Sequence, residues 1–527
     1  VQLLPPIHGK AAPDAVNGAA FHQLGFLLPV NDLKPHRIPH AGTIHPAQSD
    51  YYYFVSDDAG TYYFASTLDE HNANIRKAKA VNAQLKEVRR SRKAELTGRT
   101  NNNGGRLWQN IFAAQRDHYP EVLAPVGDFE RLTYAVNYGA DAVYLGGTAF
   151  GMRASSANFD FDTMKKAVEY AHARDVKVYL TCNTLPLNSE VEQLSDYLKS
   201  ARDAGVDAVI VADVGVLMEA KRVIPEVDIH ISTQTGIVNY LTANELYKMG
   251  AKRVVLAREL PLEDIRRIRD KTPPELEIEA FVHGAMCMSF SGRCLLSNYM
   301  IGRDANRGEC AQPCRWGYHL VEEKRPGQYF PIYEDEKGSY ILNAKDMCMI
   351  EHLDKVIDAG VTSLKIEGRA KSFYYVAVIT NAYRQAVDLY RKDPQHFVLP
   401  SWLEEETRKV SHRQYSTGFY FGRPEQGQYY ENAGYVRQWD VVAVVDKTEG
   451  DTLYCTQRNK FSLGETVEII CPHSTVEDRP LSYTVTSITD EQGNPRKSAN
   501  NAMMKLTMPA KGLVLEAGSI IRRAAEQ

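Results

Sequence analysis

The sequence predicts an α/β fold: a closed (β/α)8 barrel of TIM type with a cysteine-rich insertion after its seventh strand, then a small C-terminal antiparallel β-barrel domain. Three observations predict it. Across residues 120-395, short β-branched runs alternate with amphipathic stretches of helical period, which is βα repetition. Three of the helical stretches close on Gly just before the next strand-like run (YGADAVYL, AGVDAVIV, MGAKRVVL), the cap and short αβ loop of such units. Beyond residue 436 the pattern changes to short strands separated by turn signals.

The elements follow in order. EVLAPV and AVYLGG are the first two strands, with DFERLTYAVNYG and FDTMKKAVEYAHARD as their helices. VKVYLTCN, DAVIVAD, DIHISTQ, RVVLARE, EIEAFVHG and TSLKIEGR continue the set, spaced by helices such as VEQLSDYLKSARDAG, NYLTANELYKMG and PLEDIRRIRDK. Eight parallel strands in about 270 residues favour a closed barrel over an open doubly wound sheet. Residues 396-435 form a connector, and 436-527 a β domain built on runs such as DVVAVVDKTEG and ETVEIICP.

The N-terminal part differs in kind. Residues 1-75 hold a compact stretch, two aromatic strand-like runs around a DDAG turn and then a helix, and 76-119 read as a basic linker broken by NNNGG. Such a linker can meet phosphates, although a solvated charge run is the commoner use. At 527 residues the chain needs two or three domains. With 44% hydrophobic and 24% charged residues and a net charge of −4, the whole chain is not a polyanion binder, so any nucleic-acid surface is local. No run has the length of a membrane span, and FHQLGFLLPV lacks the flanks of a signal peptide. A cytoplasmic protein is expected, in which clustered cysteines read first as metal ligands or catalytic thiols.

In a barrel of this kind chemistry sits where strands end. The polar residues at those ends are Asn183, Asp213, Gln234, Arg258, Glu259, His283, Glu367 and Arg369. Asn183, Gln234, Glu259 and His283 are the catalytic candidates; Arg258, Glu367 and Arg369 are candidates for substrate binding. For each, capping a helix or pairing across the mouth is the plain alternative. The strongest chemical signal is HGAMCMSFSGRCLLSNYMIGRDANRGECAQPCRWGY, residues 283-318, in which Cys287, Cys294, Cys310 and Cys314 are spaced C-x6-C-x15-C-x3-C. The spacing favours a metal and leaves structural zinc and iron–sulfur both open, since it matches neither paired C-x2-C knuckles nor a ferredoxin run. Arg303, Arg307 and Arg315 lie among the thiols and suit an anionic cluster or ligand. On pattern alone Cys182, Cys348, Cys455 and Cys471 read as buried structural thiols. The chain has no HExxH and no GxSxG, so no common peptidase machinery is visible.

EAFVHGAMCMSFSGRCLLSNYMIGRDANRGECAQPCRW, with EVLAP, GADAVYLG, SLKIEGRAKSFYYV and KVSHRQYSTGFYFG, resembles peptidase family U32 over about residues 120 to 525. The resemblance implies a barrel with a C-terminal β domain. It also implies kinship with iron–sulfur members that hydroxylate RNA bases or a quinone precursor, alongside a collagenase-like activity ascribed to others. The branch most similar makes 5-hydroxyuridine at the tRNA wobble position and requires prephenate. That implies a 4Fe-4S cluster held by Cys287, Cys294 and Cys310, with Cys348 favoured over Cys314 as the fourth ligand. It further implies prephenate as co-substrate, tRNA as partner, and room for a second U32-family protein. Prephenate is a dicarboxylate and tRNA a polyanion, which suits the arginines. The alternatives are a U32 collagenase-like peptidase and an RNA-binding protein with a structural metal cluster. HPAQSDYYYFVSDDAGTYYFASTLDEHNANI resembles the C-terminal end of the endolytic murein transglycosylase family, without that family's catalytic region, so no glycosidase activity is expected.

Overall fold

The structure is a computed structural model that describes residues 53–56, 62–65, 73–74, 120–152, 158–287, 289–290, 294–316, 319–321, 329–331, 344–422 and 435–525. The chain divides into two units, Val1–Asp117 and His118–Gln527. In the first, Tyr53–Ser56 and Tyr62–Ala65 pair as antiparallel strands with Phe54 opposite Phe64, and residues 73–74 are helical. The other readings made for residues 1-119, the basic linker included, lie outside the described residues.

The second unit opens with the barrel. Its strands are β1 (Glu121–Pro125), β2 (Ala142–Gly146), β3 (Lys177–Cys182), β4 (Ala208–Val211), β5 (Asp228–Ile231), β6 (Arg253–Val255), β7 (Glu277–Ala285) and β8 (Ser363–Ile366). Each pairs in parallel with the next, and β8 pairs with both β7 and β1, so the sheet closes on itself. The helices that cover it are α1 (Phe129–Asn137), α2 (Phe161–His172), α3 (Leu194–Asp203), α4 (Val214–Val223), α5 (Tyr240–Met249), α6 (Leu262–Asp270), α7 (Leu353–Asp358) and α8 (Phe373–Lys392). Asp128, Asp160, Asp213, Asn239 and Ser372 each accept a backbone N–H from the first turn of the helix they precede. Such a cap contributes about 1 kcal/mol, and it accounts for Asp213 as a structural residue.

Outward residues of the strands, such as Val122, Val143, Val178 and Val209, are buried with the apolar faces of the helices in one large core. The barrel interior is different. Leu123, Tyr144, Tyr179 and Ile210 form only a small apolar cluster there. The lower interior is ionic, where branched aliphatic layers are the rule. Arg253 meets Glu121 at 2.7 Å, Glu277 at 2.6 Å and Glu279 at 3.2 Å, and Lys365 Nζ meets Glu279 at 2.6 Å. Burial works against the Glu121 carboxylate, but Arg253 outweighs it and holds its pKa below the usual range.

At its upper end β7 stays paired with β8, with a register shift that sets Ile366 opposite His283, and gains a further neighbour. Asp346–Cys348 pairs antiparallel with it, Cys348 opposite His283, and the same short strand pairs in parallel with Tyr415–Ser416 of the connector. Gly284 is required where these strands crowd together. Its φ is +107°, and a Cβ there would run into the Glu367 carbonyl oxygen, a backbone atom that cannot swing aside. Gly284→Ala is therefore expected to destabilise the barrel by about 1–3 kcal/mol, read as a lowered urea midpoint with an unchanged slope. Between β7 and Asp346, the insertion carries the helix Leu296–Ile301, single turns at Ala305–Arg307 and Pro313–Arg315, and antiparallel strands His319–Val321 and Tyr329–Pro331.

The C-terminal part is a seven-stranded antiparallel sheet around Trp439–Glu449 and Ile520–Ala524. It curls on itself: the Tyr483 hydroxyl on one outer strand donates to the Pro509 carbonyl at 2.7 Å. Val442, Phe461, Ile469, Leu506 and Ile521 belong to its own core. The sheet is seated on the barrel by α1, whose neighbour Tyr138 donates to the Ile470 and Gly518 carbonyls at 3.2 and 3.1 Å. Among the described residues no helix is long and apolar enough to cross a membrane.

Candidate active site at the barrel mouth

The C-terminal ends of the strands surround a cavity with about 590 Å³ of empty space, its solvent-open mouth included. Asn183 after β3, Gln234 after β5, Arg258 after β6, and Glu367 and Arg369 after β8 all line it. Five of the sequence candidates thus meet at one place. Arg369 is almost fully buried. Its Nη1 donates to Thr181 Oγ1 at 3.2 Å and its Nη2 to Asn158 Oδ1 at 2.7 Å. Gly146 leaves the space for it, because a Cβ at that position would collide with the guanidinium. Arg258 donates to the Ala285 carbonyl at 2.9 Å and lies over the Phe281 ring at 4.9 Å. Asn183 accepts the Met152 N–H at 3.2 Å and faces Ser232 Oγ at 3.4 Å.

The other candidates lie elsewhere. Glu259 is half-buried beside Arg258 and does not line the cavity. His283, expected at the mouth, sits instead in an aromatic box outside the barrel wall. Tyr383 and Tyr415 hydroxyls stand 3.4 and 3.3 Å from its two ring nitrogens, and Tyr375 completes the enclosure. Burial lowers its pKa to about 3, so the ring is neutral. The cause is a register shift between β7 and β8: Lys365 faces Phe281 and Ile366 faces His283, so the extra residue breaks the in–out alternation and turns the imidazole toward Tyr383 of α8. Arg303 is exposed, and Arg307 is tied to Glu190 and to the Leu185 carbonyl. Arg315 lies in the single turn Pro313–Arg315, and its side chain is outside the described residues.

Sequence reasoning missed Tyr144, Thr181, Ser232, Thr233, Phe281 and Lys365, which also line the cavity. For Lys365 a signal existed: it is a charge at an inward position of the strand TSLKIEGR, between apolar neighbours. Glu279 in EIEAFVHG and Arg253 in KRVVL carry the same signal.

Cys287 lies just past β7 and is half-buried, as are Cys294, Cys314 and Cys348, while Cys310 is exposed. The Leu296 N–H donates to Cys294 Sγ at 3.4 Å, and the Gln312 N–H to Cys310 Sγ at 3.4 Å. Asn306 clamps the Cys294 backbone from both sides, accepting its N–H at 3.3 Å and donating to its carbonyl at 3.0 Å. Backbone N–H groups on sulfur are contacts that cysteine ligands of a metal also accept. The positions are not gathered around one centre: among the described residues no three His, Cys, Asp or Glu side chains converge. Cys348 faces Thr407 at 4.0 Å, and burial pushes its thiol up to about 11.

Residues 127–429 match the family model for peptidase family U32, and 437–522 match the model for its C-terminal domain. The chain belongs to peptidase family U32. It is 39% identical to tRNA hydroxylation protein P1 of Bacillus subtilis over 73% of this chain and 90% of that protein. To tRNA hydroxylation protein P of Escherichia coli it is 36% identical over 68% of this chain and 87% of that one. A U32 relative of another kind, a collagenase of Porphyromonas gingivalis, is 36% identical over 58% of this chain and 74% of that protein. The family-model match, residues 127–429, takes in the barrel from α1 onward.

Proposed function

We propose that this U32 protein hydroxylates RNA, and specifically that it converts the wobble uridine of tRNA to 5-hydroxyuridine in the cytoplasm with prephenate as co-substrate. The observation that carries the reading is likeness along nearly the whole length of two relatives named for tRNA hydroxylation. The mouth is consistent with it. Asn183, Ser232, Thr233 and Gln234 offer neutral hydrogen-bonding groups for a base edge, and Arg258 and Arg369 offer guanidinium groups for a carboxylate. Cys287, Cys294 and Cys310, with Cys348 or Cys314, would hold a 4Fe-4S cluster, which when bound supplies a redox centre.

Peptidase action, the second reading, has a named relative in its favour, but the described lining residues of the mouth include no nucleophile–base couple. Among the described lining residues Ser232 Oγ faces Asn183 and the Gln234 N–H rather than an imidazole, and His283 is sealed in its aromatic box. The test is nucleoside mass spectrometry of tRNA from cells with and without the gene. 5-Hydroxyuridine is expected to vanish on deletion, to return with the intact gene, and not to return with Cys287→Ala. Unchanged nucleosides on deletion refute the reading.

A further inference from the structure

We propose that Ser232 selects uridine over cytidine by donating its hydroxyl proton to the 4-oxygen of the pyrimidine, with the Asn183 amide as a second donor to the same atom. The inference rests on the proposed hydroxylation of a pyrimidine at the barrel mouth, and it names the side chains that decide which pyrimidine is accepted. Four hydroxyls belong to the described residues that line the cavity, those of Tyr144, Thr181, Ser232 and Thr233. Three of them give their protons to the barrel itself. Tyr144 donates to the Ile366 carbonyl at 2.9 Å, Thr181 to the Leu145 carbonyl at 3.0 Å and Thr233 to the Leu256 carbonyl at 3.0 Å. What these three can offer a ligand is lone pairs.

Ser232 is the reverse case, and two backbone donors make it so. The Met152 N–H meets Asn183 Oδ1 at 3.2 Å, which fixes the amide with its nitrogen turned to Ser232 Oγ, 3.4 Å away. The Gln234 N–H meets the same Oγ at 3.3 Å. A hydroxyl has two lone pairs and one proton. Both lone pairs of Ser232 face donors, so the proton is what it has left to give, and none of the described residues accepts it. Ser232 is 3% exposed, so its unmatched proton is withdrawn from bulk water and favours an acceptor brought by a ligand. The Asn183 amide is in a similar position: one of its two N–H groups goes to Ser232, and the other meets no acceptor among the described residues.

Two neighbouring donors on one wall suit a carbonyl oxygen, which has two lone pairs. Uracil presents such an oxygen at C4, beside C5, the carbon that 5-hydroxylation changes. The group that distinguishes the two pyrimidines therefore enters the mouth together with the reacting carbon. Cytosine presents an amine there, whose N–H groups would face Ser232 and Asn183 with donors on both sides and no acceptor between them. A site built to hydrogen-bond one group rejects an analogue that leaves its buried polar atoms unpaired, which a pocket selecting by apolar shape does only weakly.

The test measures binding of the full chain, by fluorescence anisotropy, to synthetic anticodon hairpins that differ only in carrying uridine or cytidine at the wobble position. The unaltered protein is expected to prefer the uridine hairpin about tenfold. Ser232→Ala is expected to bring the two affinities within about twofold of each other, chiefly by weakening the uridine hairpin, whereas Ser232→Thr keeps the hydroxyl and most of the preference. A third hairpin carries 4-thiouridine, whose sulfur is a poor acceptor. It is expected to bind the unaltered protein at least about threefold more weakly than uridine, and it keeps the test open if Ser232→Ala does not fold. Equal affinity of the unaltered protein for uridine and cytidine, an unchanged ratio in folded Ser232→Ala, or 4-thiouridine bound as tightly as uridine overturns the proposal. The RNA reading has its own arm: 5-hydroxyuridine unchanged on deletion of the gene refutes that reading, while 5-hydroxyuridine lost on deletion with no preference between the hairpins overturns the Ser232 assignment alone.

Discussion

Glu279→Leu is expected to destabilise the barrel by about 3–5 kcal/mol, the cost of removing one partner from a buried ion pair. Glu279 is fully buried, and its loss strands Lys365 among aromatic rings while leaving Arg253 with Glu121 and Glu277. Lys365 is the group that suffers. Its ammonium is then left to the rings of Tyr144 and Phe281, 4.4 and 5.6 Å away. For a barrel of this size the loss corresponds to a fall of roughly 10 °C in melting temperature. Glu279→Leu with Lys365→Met removes both charges and is expected to recover a large part of the loss. A double variant as unstable as the sum of the singles would show that packing volume, not charge, sets the cost.

The barrel was legible because each βα unit is written locally. Alternation of β-branched and amphipathic runs gives the strands and helices, and Gly139, Gly205 and Gly250 do take positive φ where helices end. Residues set by strand ends alone, Asn183, Gln234, Arg258, Glu367 and Arg369, therefore came together as read. His283 did not, because its place depends on non-local pairing. The antiparallel Asp346–Cys348 strand and Tyr415–Ser416 join from distant parts of the chain, and no local pattern announces the register shift against β8 that turns the imidazole outward. Lys365, Glu279 and Arg253 were missed for a related reason: in a strand buried on both faces, a lone charge is meaningful only once its partners on neighbouring strands are known. Residues 396-435 read as a connector with no place in the sheet, yet they supply the strand Tyr415–Ser416 beside Asp346–Cys348. His412 stacks on Tyr415 at 4.3 Å, and Arg413 donates to the Ala344 carbonyl at 3.2 Å.

Arg522→Met is expected to loosen the C-terminal sheet from the barrel. Arg522 is fully buried where the sheet meets α8 and the helix Ser401–Arg408, and its Nη2 lies 2.7 Å from Glu406 and 2.8 Å from Glu468. Tyr374 of α8 faces its Nη1 at 3.3 Å, and Trp439 lies 5.2 Å below the guanidinium. Burial disfavours the charged form, but the Tyr374 and Glu406 oxygens raise the Arg522 pKa above its ordinary value, so the cation persists at any working pH. Removing it leaves Glu406 buried with Lys409, at 2.9 Å, as its remaining cation. Because Lys409 also reaches Glu468 at 2.8 Å, it offsets part of the damage. The expected cost is about 2–4 kcal/mol, below the full penalty for an uncompensated buried carboxylate. The sheet keeps its own core, so the loss falls on the interface: limited proteolysis is expected to cut the connector before either part unfolds. Arg522→Lys retains one charge but not the fork that spans two carboxylates, and is expected to recover less than half of the loss. Unfolding of Arg522→Met in one cooperative step at the temperature of the unaltered protein would show that Lys409, Trp439 and Tyr138 suffice to hold the sheet in place.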